Sequence, residues 1–370
     1  MDVCGRTDVG RTREHNEDAF LVADVSAGAP LPQEGVAGYS TADRGLVFMV
    51  ADGMGGAAAG EIASAMAVHT VMETVSAAWM NAPVRNAAGF ARALREAAEE
   101  ANRRIHATAL DQPEFRGMGT TATIAGLLGD TLYLAQVGDS RAYLVRDGRA
   151  LQITKDQSLL QRLVEAGEMT AEEAEKSARR NIILQALGPE PSVTIDLTHQ
   201  LVRRGDLLIL CSDGLSGLVR EDEIAYHAVS GTDVCDVTAR LIAAANENGG
   251  PDNITVVAVR FDGTGLAAAE AGDHVGHRRF AEADSAGEDD WINGSPTLTD
   301  YSDQMGTPTL DADPERRETI GSPQPRPGTA DRGAFPDARA DRQEKGRIWM
   351  TVLIVLLVLT AGAALWRWLT

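Results

Sequence analysis

The sequence predicts an α+β fold in which antiparallel β-sheets pack face to face with helices on the outside. Three observations predict it. Short β-branched and aliphatic runs are joined by tight turns, two long helical stretches interrupt them, and the alternation continues without a long gap through residues 1–262.

Taken in order, the run GLVFMVAD (45–52) is a buried-type strand that ends on an acid and enters VADGMGG (50–56). From Ala58 to about Trp79 the residues Ile62, Met66, Met72, Val75 and Trp79 fall near one helical face, and a second helix is expected from Asn86 to about Leu110. The runs TTATIAGLLG, TLYLAQVG and RAYLVR follow, separated by Gly129-Asp130 and Gly138-Asp139, and these turns suggest an antiparallel meander. Asp147-Gly148 is an ordinary hairpin turn between two alternating strands. Two further apolar strands, DLLILCSDG and ITVVAVRF, complete the set, with a helical segment from Arg220 after the first.

Composition bounds the partners. With 44% hydrophobic residues among 370, the chain can bury a large core. A formal net charge of -20 with no basic stripe argues against nucleic acid, whose affinity depends on Lys and Arg neutralising phosphates. The three cysteines, Cys4, Cys211 and Cys235, show no CxxC spacing; this fits a reducing compartment without a disulfide framework or zinc site, and Cys211 and Cys235 read as small buried hydrophobes. The N-terminal residues MDVCGRTDVG carry no apolar export signal.

Beyond residue 262 the pattern changes. Residues 263–347 are rich in Ala, Gly, Pro, Asp and Arg and poor in aromatics, the composition of a disordered tether. Within it SPTLTD and TPTLDAD form a short imperfect repeat around Thr297 and Thr309, and Thr319 follows RRE; all three are candidate phosphorylation sites in what is otherwise a spacer. Residues 348–366, IWMTVLIVLLVLTAGAALW, are long and apolar enough to span a bilayer as one helix, leaving 367–370 beyond it. Arg342, Lys345 and Arg347 before that span put the preceding domain in the cytoplasm, so the expected location is a single-pass protein of the inner (plasma) membrane.

The strongest chemical signal is a shared design. Asp52 and Asp213 each end an apolar strand and are followed by glycine, and Asp252 with Asn253 immediately precedes another strand. Acids at the edges of core strands are costly to leave without a partner, and no Lys or Arg adjoins them in these three segments. An external hard cation, Mg²⁺ or Mn²⁺, suits a donor set of carboxylates, a glycine carbonyl and water. Such ions can activate a water for attack on phosphorus. In GRTREHNEDAF, Arg13 has the planar fork that clamps a phosphate, with Glu17 and Asp18 close behind it.

The series REHNED, VADGMGG, GMGTTAT, VGDSRAYLV, LLILCSDGL and GPDNITVV, in this order, resembles the bacterial branch of the metal-dependent Ser/Thr protein phosphatases, the type 2C family. The resemblance covers residues 1 to about 261. It implies an α-β-β-α sandwich of two packed antiparallel sheets flanked by helices, and hydrolysis of phosphoserine and phosphothreonine in proteins, opposing a cognate Ser/Thr kinase. It also implies that Asp52 bridges two Mn²⁺ or Mg²⁺ ions with the Gly53 carbonyl on one of them, and that Asp213 and Asp252 hold the other. Glu17 matches an acid acting on the second ion through water, Arg13 the arginine that holds the substrate phosphate, and Asp139 an acid that helps Asp213 hold a weaker third ion.

The sequence departs from the family at Met54, where animal members place a histidine. It departs also in the flap-like segment 156–188, at Gln157 and in KSARRN (176–181). A cysteine phosphatase is excluded, because Gly10, Gly217 and Leu241 stand six residues after the three cysteines where an arginine is required. A membrane-anchored scaffold without activity would be expected to have lost ligands, whereas every matched acid is present.

Overall fold

The computed structural model describes residues 1–281 apart from 33–34, 41–44, 56–58, 176 and 178–181. The elements run, in chain order, β1 (Asp2–Asp8), β2 (Asp18–Asp24), β3 (Ala29–Pro30), β4 (Leu46–Met54), α1 (Ala59–Asn81), α2 (Ala87–Asp111), β5 (Gly119–Thr120), β6 (Ala122–Leu128), β7 (Thr131–Val137), β8 (Arg141–Arg146) and β9 (Arg149–Gln152). They continue with α3 (Leu159–Glu165), α4 (Ala171–Glu175), β10 (Asp196–Leu201), β11 (Asp206–Cys211), α5 (Asp213–Ser216), α6 (Glu221–Ser230), α7 (Val234–Glu247) and β12 (Ile254–Phe261). One antiparallel sheet has the order β1-β12-β11-β8-β9; the other runs β10-β7-β6-β4-β2-β3, with β5 paired to β4.

The strand sequences explain the layering. In β4, Leu46, Phe48 and Val50 face the core between the sheets. Val47, Met49 and Ala51 face α1 and α2. Both faces are buried, so the strand reads as a continuous apolar run instead of alternating. On the other sheet, Leu208 and Leu210 of β11 join the inter-sheet core. Leu207, Ile209 and Cys211 pack against α6 and α7. Three apolar layers thus separate four structural ones, the helix-sheet-sheet-helix arrangement expected from the sequence.

The sequence reading needs correction at three places. TLYLAQVG and RAYLVR are not neighbours in a meander: β7 pairs β6 and β10, whereas β8 pairs β11 and β9 in the other sheet. Gly138 makes the crossing with φ +97°, and an added Cβ would lie 2.7 Å from Thr121 Cγ2, so only glycine fits this close approach. The crossing carries Asp139 to the joint between the sheets.

Cys4 and Cys235 form a disulfide across 231 residues, with Cα atoms 5.3 Å apart. The expectation of no disulfide fails here, and Cys235 is not the small buried hydrophobe that local spacing suggests. β1 turns Cys4 toward the layer it shares with α7, and Cys235 lies in the first turn of that helix, a pairing that sequence separation hides. Cys211 alone remains a free, buried thiol.

The folded chain also continues past residue 262. Arg203 holds Asp273 through two bonds of 2.8 Å. Phe280 packs edge-on against Tyr133, and its backbone N–H donates to Leu197 of β10. Residues 263–281 thus cover the edge strand β10, and they are not tether. The remaining expectations for 282–347, for the apolar span 348–366, for 367–370 and for Thr297, Thr309 and Thr319 lie outside the described residues. Among the described residues no helix is long and apolar enough to cross a membrane.

Candidate active site

Strand alternation builds the site. The residues that face the inter-sheet core become polar at one end of both sheets. Along β2 the inward series Val22 and Phe20 ends on Asp18, and along β4 the series Leu46, Phe48 and Val50 ends on Asp52. Asp18 and Asp52 are directly paired in the β2–β4 register. On the facing sheet the same continuation gives Ser212 after β11 and Thr255 in β12, and both hydroxyls donate to Asp18 Oδ2, at 2.8 and 2.7 Å. These two bonds join the sheets where the apolar core stops.

The register places the other acids at this end. β11 pairs β8 with Cys211 opposite Arg141, so Asp213 and Asp139 leave the sheet together. β11 pairs β12 with Cys211 opposite Val256, which brings Asp252 beside them. Among the described residues, Asp139 and Asp18 each bury one carboxylate oxygen, Oδ1, without a hydrogen-bond partner. Burial raises Asp52 well above the usual carboxylate range, and the charges of Asp18, Asp213, Asp139 and Asp252 raise it further. Asp18 is pushed up to about 7, first by burial and then by Asp213 and Asp252, against the pull of the Thr255 and Ser212 hydroxyls. Asp139 is pushed up to about 7 by burial, with Asp213 and Asp156 adding to it.

The backbone around Asp52 is clamped. Its N–H donates to Thr121 Oγ1 at 3.0 Å, and its carbonyl accepts from Thr121 N and Thr120 Oγ1, each at 2.9 Å. Thr121 in turn shares a 2.7 Å bond with Ser140, so the threonines of GMGTTAT lock the strand end that carries the acid. Gly53 is required by contact: a Cβ there would collide with the carbonyls of Gly60 and Glu17.

Asn253 fixes the loop that precedes β2. Its Oδ1 accepts from Glu17 N at 2.8 Å, and its amide donates to Val9 O and His15 O at 3.0 and 2.9 Å. Glu17 is raised above its ordinary value, chiefly by burial, with Arg13 opposing. Arg13 Nη2 reaches Asp252 Oδ2 at 2.8 Å, so one of the three acids does have a protein cation, supplied from 239 residues away and invisible to local sequence. Gln157, noted at the base of the flap, accepts from Gly138 N at 3.0 Å and donates to Thr194 O at 3.1 Å, tying that segment to the crossing. Of KSARRN, every residue but Ser177 lies outside the described residues.

Arg13, Glu17, Asp18, Asp52, Gly53, Asp139, Asp213 and Asp252 therefore lie at one end of the sandwich. Sequence reading placed Asp18 beside Arg13 without a partner of its own, and assigned no role to Ser212, Thr255 or Thr121. The period-2 continuation of inward positions was the signal that could have found Asp18, Ser212 and Thr255. Among the described residues no three His, Cys, Asp or Glu side chains are already grouped around one point as a metal cage. What the chain provides is a bank of mutually repelling carboxylates with two orphaned buried oxygens, a set that fits hard divalent cations and offers no nitrogen or sulfur for softer ones.

Residues 30–254 match the family model described as protein phosphatase 2C. The chain is 37% identical over 258 residues to the serine/threonine phosphatase stp of Listeria monocytogenes, covering 70% of this chain and 94% of that protein. The solved serine/threonine phosphatase of S. agalactiae superposes with a TM-score of 0.61 at 32% identity, covering 71% of this chain and all of that one. A PstP catalytic domain solved in complex with two manganese ions superposes with a TM-score of 0.54 at 35% identity, covering 69% of this chain and 96% of that one.

Proposed function

The chain belongs to the protein phosphatase 2C family, and from that premise we propose that it removes phosphate from phosphoserine and phosphothreonine in proteins, with divalent cations held by the acids at the sheet ends. The observation that carries this reading is geometric: Asp18, Asp52, Asp139, Asp213 and Asp252 converge at one end of both sheets, where among the described residues one carboxylate oxygen of Asp18 and one of Asp139 are buried without a hydrogen-bond partner. Such a cluster relieves its repulsion by taking up protons or by binding cations, and near neutral pH bound cations let the acids stay ionised.

Asp52, with the carbonyl of Gly53, would hold one Mn²⁺ or Mg²⁺ and share it with a second held by Asp213 and Asp252; Asp139 with Asp213 would serve a weaker third. When bound, two such ions lower the pKa of a water for in-line attack on phosphorus and neutralise charge on the phosphoryl oxygens. Asp18, fixed by Ser212 and Thr255, positions the Asp52 end of β4 through the β2 register. Glu17, on the loop held by Asn253, orients waters at the site. Arg13 is half exposed, and its guanidinium can leave Asp252 for the incoming phosphate while the acid turns to a cation. Met54 stands at position 54, so the side chain there cannot give a proton to the leaving seryl or threonyl oxygen.

The same reading makes the protein the opponent of a Ser/Thr kinase. The apolar run 348–366 with basic residues before it supports a single-pass anchor in the inner (plasma) membrane with this domain in the cytoplasm. The test is phosphate release from a phosphothreonine peptide with Mn²⁺, with Mg²⁺ and with chelator. Activity that needs the cation supports the reading, and equal activity in chelator refutes it.

A further inference from the structure

A groove of about 1320 Å³ starts at Asp139, Asp213 and Asp252 and is lined farther out by α3 of the flap on one side and by β9 and α6 on the other. Its volume exceeds the roughly 300–1,000 Å³ of pockets that take a small ligand. A phosphorylated side chain alone would leave most of it empty.

The β9–α6 side has an unusual surface. Helix α6 already buries one apolar face, through Ile224, Ala225 and Ala228, against its own sheet. Tyr226 and Val229 lie outside that buried face and are 67% and 68% exposed, and Leu151 of β9, in the same groove, is 41% exposed. Folding gains nothing from large apolar side chains left in water, and exposed apolar surface grouped beside a polar site marks a place where something binds. The flap side contributes Leu160 and Val164, so apolar side chains stand on both sides of the groove, among polar ones that include Arg149, Gln161 and Asp222.

We infer that this groove is the docking track for the polypeptide on either side of the phosphorylated residue, and that Leu151, Tyr226 and Val229 select substrates with large aliphatic side chains near that residue. The inference rests on the phosphatase reading above, and its occupant follows from continuity. The groove opens directly from the acids that would hold the reacting phosphate, so whatever chain carries the phosphate must leave along it. Tyr226, with its ring set edge-on to His227, offers a broad rigid face of the kind that contributes most at peptide contacts.

The experiment compares kcat/KM for two phosphothreonine peptides, one with leucine and one with alanine at the three positions on each side of the phosphothreonine. Wild type and the variants Tyr226→Ala and Val229→Ser are each assayed with Mn²⁺. The expected result is a preference of wild type for the leucine peptide of roughly tenfold or more, the scale set by burying one aliphatic side chain, expressed in KM. That preference falls toward one in both variants. A wild-type preference near one, or a preference unchanged in both variants, overturns the docking track while leaving the phosphatase reading intact. Absence of turnover on both peptides by wild type overturns the phosphatase reading and this inference with it.

Discussion

Strand β11 has an aspartate at each end, and the two ends treat them in opposite ways. At its start Asp206 is 1% exposed and Arg146, 8% exposed, grips it with bonds of 2.9 and 2.6 Å, while Arg203 N–H adds a third. Just beyond its other end lies the cluster of Asp18, Asp52, Asp139, Asp213 and Asp252, where the carboxylates raise one another and two oxygens are buried without partners. There Arg13 pairs with Asp252 in a contact open to solvent at 49% and 30%, and the charge of Arg141 opposes the rise of Asp139. At one end a buried guanidinium neutralises a single aspartate; at the other, aspartates crowd together and raise one another, and the proposed cation site rests on that crowding.

The largest effect on folding belongs to the paired end. Arg146→Met strips a buried carboxylate of its partner and is expected to lower unfolding free energy by about 3–5 kcal/mol, measured by denaturant titration. Asp18→Asn at the other end should leave the metal-free protein as stable as wild type or more so while cutting turnover. If Asp18→Asn were the more destabilising of the two, the contrast between the ends would fail.

The disulfide provides a reference outside both ends. It closes a loop of 231 residues, and reducing it, or replacing Cys4 and Cys235 together by Ala, should cost about 2–5 kcal/mol without changing Mn²⁺ affinity. Calorimetry with and without reductant measures the first, and a Mn²⁺ titration of the double variant the second. Loss of Mn²⁺ binding would tie the staple to the acid end.

A pH series sharpens the comparison further. Asp18 and Asp139 have folded values of about 7 against an ordinary 3.8. Between those values the folded state binds more protons than the unfolded, so these two acids lower the stability of the metal-free protein as pH rises from about 4 to 7, and Asp52, raised in the same direction, adds to the fall. Saturating Mn²⁺ should remove most of that slope, because the cation takes the place of the protons. A metal-free melting temperature that instead climbs steadily from pH 4 to 7 would show that these acids are not under strain.

The smallest expected effect is at Arg13. Arg13→Ala removes charge-assisted bonds to phosphate and should lower kcat/KM roughly 10- to 100-fold with Mn²⁺ affinity little changed. An effect confined to Mn²⁺ affinity would assign Arg13 to the acids alone.

Much of this contrast was legible in the sequence. Asp52, Asp213 and Asp252 stood out because each adjoins an apolar run, and burial in the core is a local property that composition records. Asp18 was harder to place, because its importance comes from standing opposite Asp52 in β2–β4 and under two hydroxyls from the other sheet. Cross-strand register and sheet-to-sheet contact are long-range facts. The same reason hid the Arg13–Asp252 pair, the Cys4–Cys235 bond and the change of sheet at Gly138. In the last case the Gly-Asp dipeptide looked like a hairpin turn, since a tight turn and a crossing both demand a glycine with positive φ. The packing of residues 263–281 was missed because hydrophilic composition outweighed a few anchors, Leu266, Val275 and Phe280, that suffice to seat a segment on an edge strand.

The central claim is that Asp52 organises mutually repelling acids around divalent cations, and the most direct test is the rate of phosphate release from a phosphothreonine peptide by wild type and Asp52→Asn across a Mn²⁺ titration. Wild type should rise from no activity to saturation. Asp52→Asn should remain about a thousandfold slower at every concentration, the scale of losing a cation's stabilisation of the transition state, while melting no lower than wild type without metal. An Asp52→Asn protein that reaches the wild-type rate at any Mn²⁺ concentration would contradict the account.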